Sequence, residues 1–213
     1  MDNNVLIEEI KKKDLDVGKL ASIVINDKTL RDKVVTYATT SKDIMLYYHS
    51  YYIISDASKR IPHLFYNYWD DFEALLDDNN SYKRDIGMTI MAKLVSVDVD
   101  NKFERIFDKY ISLINDKKFM TAECCIINLK TILISKEEFI YKVVNTLLRI
   151  DEITSYTTKQ TEVLKSSILE VFSIVYYKID NKSEIDKFID ECLTSISPKT
   201  RKKAKKIKET LKD

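Results

Sequence analysis

Leu76-Asp77-Asp78-Asn79 and Ile114-Asn115-Asp116-Lys117 lie 38 positions apart, and each closes one amphipathic run and opens the next. Ile25-Asn26-Asp27-Lys28 reads the same way upstream. Ile196-Ser197-Pro198-Lys199 does so downstream, 82 positions beyond the third stretch, which leaves room for one further unit. A period near 40 built wholly from helix is the pattern of stacked helical hairpins, because one hairpin cannot bury its apolar face alone. The expected fold is all-α.

Composition points the same way. The chain has 213 residues, of which only two are Gly and two Pro. β-Hairpins and phosphate-cradling loops need residues that tolerate tight turns and positive φ, so an antiparallel sheet is disfavoured and Rossmann turns and Walker loops are excluded. A hydrophobic share of 45% with 32% charged residues fits a globular domain. The net charge of +1 gives no overall pull toward nucleic acid or an anionic membrane.

No run approaches eighteen apolar residues, so no membrane span is expected. The start, Met1-Asp2-Asn3-Asn4, is acidic and leads into an amphipathic stretch, unlike a secretory leader. Cys124, Cys125 and Cys192 lack metal-ligand spacing, and neighbours on a helix diverge by about 100°. They read as small reduced core residues, and a cytoplasmic location is expected.

Helix boundaries are legible from capping residues. Ser41 precedes a helix over 42–55, and Pro62 opens one running to about Asp77. Ser81 is the expected cap of 82–97, and Asp100 or Asn101 starts the next helix. A run over 119–134 follows. Ser135 with Glu138 has the spacing of a capping box, Ser183 with Asp186 a weaker one, and Ser197-Pro198 is an N-cap followed by N1 proline. The loop after Asp151 is longer and leads to a helix over 157–178. About twelve helices result, in one continuous domain over 1–213, irregular over 1–60 and clearer over 61–213.

This layout resembles HEAT repeats, the ARM-type α-α superhelix. In that family an Asp in the turn and an Arg or Lys about six positions later commonly link neighbouring repeats; Asp78 and Arg84 have this spacing. Asp116 meets Ala122 instead, so the repeats are degenerate. The stretches 80–87, 97–104 and 197–204 also look like those of small microbial HEAT-like proteins of unassigned activity. The resemblance implies a right-handed α-α superhelix of about five degenerate HEAT-like hairpins. Second helices near 28–39, 82–97, 119–134, 157–178 and 198–211 would line its concave side.

Chemistry-bearing clusters are few. His49 and His63 fall in different helices, outside any HExxH or Cys/His pattern, and no metal or cofactor is expected. Tyr68-Trp69-Asp70-Asp71 resembles the aromatic-plus-Asp pair of HEAT-like alkylpurine DNA glycosylases, though a Trp ending an apolar stripe also reads as core. In the tyrosine-rich stretch 47–52, Ile44, Tyr48, Tyr51 and Ser55 follow helical spacing, so the tyrosines read as seam packing more readily than as a base-stacking platform. In the last helix Lys199, Arg201, Lys202, Lys203, Lys205, Lys206, Lys208 and Lys212 face only Glu209 and Asp213. That helix is either the polar cap of a solenoid or a phosphate-contacting patch.

The leading functional expectation is a non-enzymatic scaffold holding a protein or peptide partner on the concave face. Arg84, Lys93, Glu123 and Asn128 are its candidate contacts. The alternative is nucleic-acid binding through Lys202, Lys203 and Lys206, with a glycosylase as its enzymatic extreme.

Overall fold

The computed structural model describes residues 2–211, and the Lys212 and Asp213 of the basic helix lie outside the described residues. Among those described, regular structure is helical throughout, with no strand. The chain divides into two units, Met1–Lys102 and Phe103–Asp213.

The first unit begins with α1 (Asn3–Ile10), which lays Leu6 and Ile10 against the rest of the unit. The hairpin of α2 (Val17–Asn26) and α3 (Lys28–Thr40) turns at Asp27, whose carboxylate accepts from Leu30 N at 3.0 Å and caps α3. α4 (Ile44–Arg60) packs against α2 and α3, so it accounts for the irregular opening of the chain. Its cap is Asp43 rather than Ser41: Asp43 Oδ1 accepts from Leu46 N at 3.0 Å, while Ser41 Oγ holds Asp43 N at 3.1 Å.

The expected helix over 62–77 alternates in winding. A 3-10 stretch, Pro62–Tyr68, leads into α5 (Trp69–Ala74) and a closing 3-10 turn, Leu75–Asp77. Its inward residues Phe65, Trp69 and Phe72 are fully buried, so packing holds a segment whose own hydrogen bonding is irregular. α6 (Ser81–Leu94) is capped by Asn80 and packs on α4 and α5. It crosses α5 so closely that a Cβ on Gly87 would lie 2.7 Å from Phe72 O.

Asn101, at the end of the first unit, lies in the left-handed region (φ 51), which asparagine tolerates well, and α7 (Lys102–Ser112) leads into the second unit. α8 (Phe119–Ser135), α9 (Ile140–Leu148), the single turn α10 (Ile150–Ile153), α11 (Thr158–Val175), α12 (Ser183–Cys192) and α13 (Pro198–Thr210) follow. α11 packs against both α8 and α13, making a layer of second helices, with α9 and α12 behind it. Phe107 stacks on Phe139 at 4.3 Å, with Phe103 edge-on to both.

The capping box forms at Thr157 and Gln160 rather than at Ser135 and Glu138. α8 runs on through Ser135, so that hydroxyl lies inside a helix and cannot cap the next one. Ser183 is likewise the first helical residue of α12, and its N–H is taken by Asn181.

Candidate functional site

The hairpin turns are closed by arginine. Each helix end leaves carbonyls without an intrahelical donor, and a cation there also faces the negative end of the helix dipole. Arg31 Nη1 donates to Val24 O (2.8 Å) and Ile25 O (3.0 Å). Arg84 Nη1 donates to Asp78 O (2.7 Å) and Asn79 O (3.2 Å), and Arg201 Nη1 to Ser195 O (2.5 Å). All three are the fourth residue of their helix and follow an accepting carbonyl by six positions. In α8 that place is held by Ala122, and Tyr156 donates to Asp116 O instead. Ser155 N adds a bond to Asn115 Oδ1 at 2.8 Å.

Across the second unit's helix layer runs a polar ladder. Glu123 of α8 accepts from Ser167 Oγ of α11 (3.3 Å) and from Lys199 Nζ of α13 (3.1 Å). Farther along, Glu170 of α11 takes Lys130 of α8 on one oxygen (2.5 Å) and Lys203 of α13 on the other. Burial opposes the charge on Glu170, but the hydrogen bonds from the two lysines outweigh it and hold its carboxyl below the ordinary range.

Beside this ladder α8 exposes apolar side chains. Met120, Ile127 and Ile134 are 64%, 42% and 64% exposed and recur every seven residues, with the part-exposed Cys124 between them. Single exposed apolar residues are ordinary; a line of them on one helix face is not. Between α11 and α13 a groove of about 270 Å³ is lined by Ser173, Tyr177, Lys203, Lys206 and Ile207.

The candidate contacts from sequence have unequal placements. Arg84 and Asn128 are buried, Arg84 on its turn carbonyls and Asn128 Nδ2 on Cys124 O at 3.0 Å. Glu123 is largely buried as the ladder's first rung. Lys93 crosses from α6 to α4, donating to Ser55 O (2.9 Å) and Ser55 Oγ. Burial, with Lys59 nearby, lowers Lys93 to about 8, and Asp56 only partly opposes them.

On α13, Lys199, Lys203 and Lys208 are engaged by Glu123, Glu170 and Asp190, while Arg201 serves its turn. Lys202, Lys205 and Lys206 are exposed and have no ion pair among the described residues. The ladder, the arginine clamps beyond Arg84 and the α8 stripe are what sequence reading missed. The stripe's signal was its spacing of seven; the clamps' signal was an arginine six places after the turn.

The aromatic-plus-Asp pair does not converge. Trp69 is fully buried, donating to Glu73 at 3.2 Å, whereas Asp70 is at the surface with Lys102 at 2.9 Å. The tyrosine group packs around Tyr48, which meets Tyr51, Tyr52 and Tyr82 edge to face and Tyr47 at a tilt. Burial first, then Tyr52 and Asp85, push its hydroxyl up to about 12. His49 Nδ1 lies 2.6 Å from Ile10 O at the end of α1, and His63 is exposed. Among the described residues no group of three or more His, Cys, Asp or Glu is placed to hold a metal ion. Nor is any helix long and apolar enough to cross a membrane.

No family model matches the chain, and no curated protein does. Among solved structures it is similar to the crystal structure of an engineered protein, with 16% identity and a TM-score of 0.52, over 100% of this chain and 97% of that one. At that identity the likeness concerns the fold alone.

Proposed function

We propose that the chain is a non-enzymatic binding module: about five degenerate HEAT-like hairpins in a right-handed α-α superhelix, holding a protein or peptide on their second helices. The observation that carries this reading is the α8 stripe of Met120, Ile127 and Ile134, apolar surface left open beside a cross-linked layer. The ladder ties α8, α11 and α13 to one another, and a preformed surface loses less entropy on binding than one that must order.

A photo-crosslinking residue in place of Ile127, introduced in cells, tests it. A discrete protein adduct is expected there and not from the same residue at Tyr141, which is exposed on α9. Equal labelling at both sites, or none at Ile127, defeats the proposal.

Nucleic-acid binding through α13 is the second reading, favoured by the unpaired Lys202, Lys205 and Lys206. It requires retention of a labelled duplex at low salt, weakening steeply as salt rises and on Lys202→Ala with Lys206→Ala. The ion pairs of Lys199, Lys203 and Lys208 favour the cap instead, because each of those lysines already has a carboxylate partner within the unit.

A further inference from the structure

We infer that the α8–α11–α13 face takes an acidic amphipathic helix of about four turns, its apolar side on α8 and its carboxylates toward α13. This rests on the reading of the chain as a protein- or peptide-binding module and names the class of partner.

The length comes from the stripe. Ile134 lies fourteen positions beyond Met120, about 21 Å of helix at 1.5 Å per residue. The secondary structure comes from the spacing. Apolar positions every seven residues meet the a/d-type side chains of a helix running nearly parallel, turn after turn. An extended peptide would need main-chain partners, and the face of a closed helix offers none.

The polarity comes from charge. Lys199, Lys203 and Lys206 recur at i, i+4 and i+7 on α13, so they share one side of that helix. With Lys130 of α8 they make four cations on the face, against two carboxylates, Glu123 and Glu170. Both carboxylates are already engaged by those lysines. Lys202 on α13, and Lys117 and Lys118 just before the stripe, are exposed at its margins and add to the excess. Between the apolar and basic walls α11 presents Ser173 and the ladder's Glu170, while Ser167 is buried and donates to Glu123. An apolar wall beside a basic wall is the complement of a helix with leucines on one flank and glutamates on the other.

The test uses the full chain and a fluorescent sixteen-residue amphipathic peptide with leucine along one face and glutamate along the other. A charge-reversed peptide with lysine for glutamate is the control. The acidic peptide is expected to bind and the basic one not. Ile127→Glu, at an exposed position that leaves the core intact, should weaken binding about ten-fold or more. Lys202→Glu with Lys206→Glu should invert the preference so that the basic peptide binds better.

Equal binding of both peptides, or acidic-peptide binding indifferent to Ile127→Glu, overturns the inference. Self-association in sedimentation that Ile127→Glu abolishes gives the stripe to a second copy and also overturns it. An adduct at Ile127 in cells, with no binding of the acidic peptide, leaves the binding-module reading standing and removes only this partner class.

Discussion

The hairpin that ends in α6 and the hairpin that ends in α8 are laid out on one register, 38 residues apart, yet meet the same demands with different atoms. Phe65, Phe72, Asp78, Arg84 and Gly87 of the first correspond to Phe103, Tyr110, Asp116, Ala122 and Cys125 of the second. Where the helices cross, the first uses a glycine against Phe72 O, and the second places Cys125 Sγ 3.4 Å from Tyr110 O, a weak S–H bond. Where the turn leaves a carbonyl, the first reaches back with Arg84 and the second borrows Tyr156 from the following hairpin. The two hairpins share a set of geometric requirements; the residues that meet them differ.

The crossing gives the largest expected effect, and the same substitution can be made at both matched sites. Valine at Gly87 would drive its Cβ into backbone 2.7 Å away and against Leu75 Cβ at 3.0 Å. A main-chain oxygen cannot swing aside, so Gly87→Val should cost about 3 kcal/mol, the upper end of overpacking penalties. Cys125→Val adds little volume where a side chain already fits, and should cost less than about 1.5 kcal/mol. Urea unfolding of the two variants measures the difference. Equal costs would mean that the two crossings are not distinct.

Next comes the turn. Arg84→Met keeps the apolar stem but leaves the carbonyls of Asp78 and Asn79 without that charged donor, an expected loss of about 2 kcal/mol. Tyr156→Phe removes one neutral hydroxyl from Asp116 O and should cost about 1 kcal/mol. If Tyr156→Phe costs as much as Arg84→Met, the borrowed tyrosine is as strong a clamp as the arginine. The ranking proposed for the two turns then fails.

Those turns also show why sequence reading went as far as it did. Helices announce themselves through apolar periodicity and capping residues, and the turns at Asp27, Asp78, Asp116 and Ser197 all lie where the chain reads them. The resemblance points to an Asp–Arg pair, a spacing that Asp78 and Arg84 keep and Asp116 and Ala122 do not. The acceptor is a main-chain carbonyl, which every residue carries, so only the arginine bears the signal. Ile25–Arg31 and Ser195–Arg201 therefore passed unnoticed. Tyr156 could not be foreseen, because its partner lies 40 positions away and is fixed by packing. The same holds for Glu170, whose two lysines come from helices on either side. Ser41 and Ser81 failed as caps for a local reason: Asp43 and Asn80, one or two residues away, offer side-chain oxygens in better register with the free N–H groups.

The smallest expected effect separates two half-buried lysines, one in each unit. Lys165 meets the carboxylates of Asp151 (2.8 Å) and Glu162 (2.5 Å). Burial lowers its affinity for a proton, but those partners outweigh burial and raise it above the ordinary 10.5. Lys93 donates to a carbonyl and a hydroxyl of Ser55, which fix its position without opposing its charge, and it falls to about 8. The signs then differ. Below pH 8 Lys93 is charged in both folded and unfolded chains and its burial penalty is constant. Between about 8 and 10.5 the unfolded chain binds more protons than the folded one, so the Lys93 contribution to stability rises with pH. Lys165 contributes fully below 10.5 and loses its contribution as pH climbs through its raised value. Carbon-detected NMR of the lysine side chains should give Lys93 a midpoint near 8 and Lys165 one above 10.5. Lys93→Met should remove a rise in unfolding free energy between pH 7 and 10 on the order of 1 kcal/mol, the full shift being discounted for partial exposure. A Lys93 midpoint near 10.5 would show that carbonyl and hydroxyl partners shelter its charge as well as carboxylates do, and would erase the contrast.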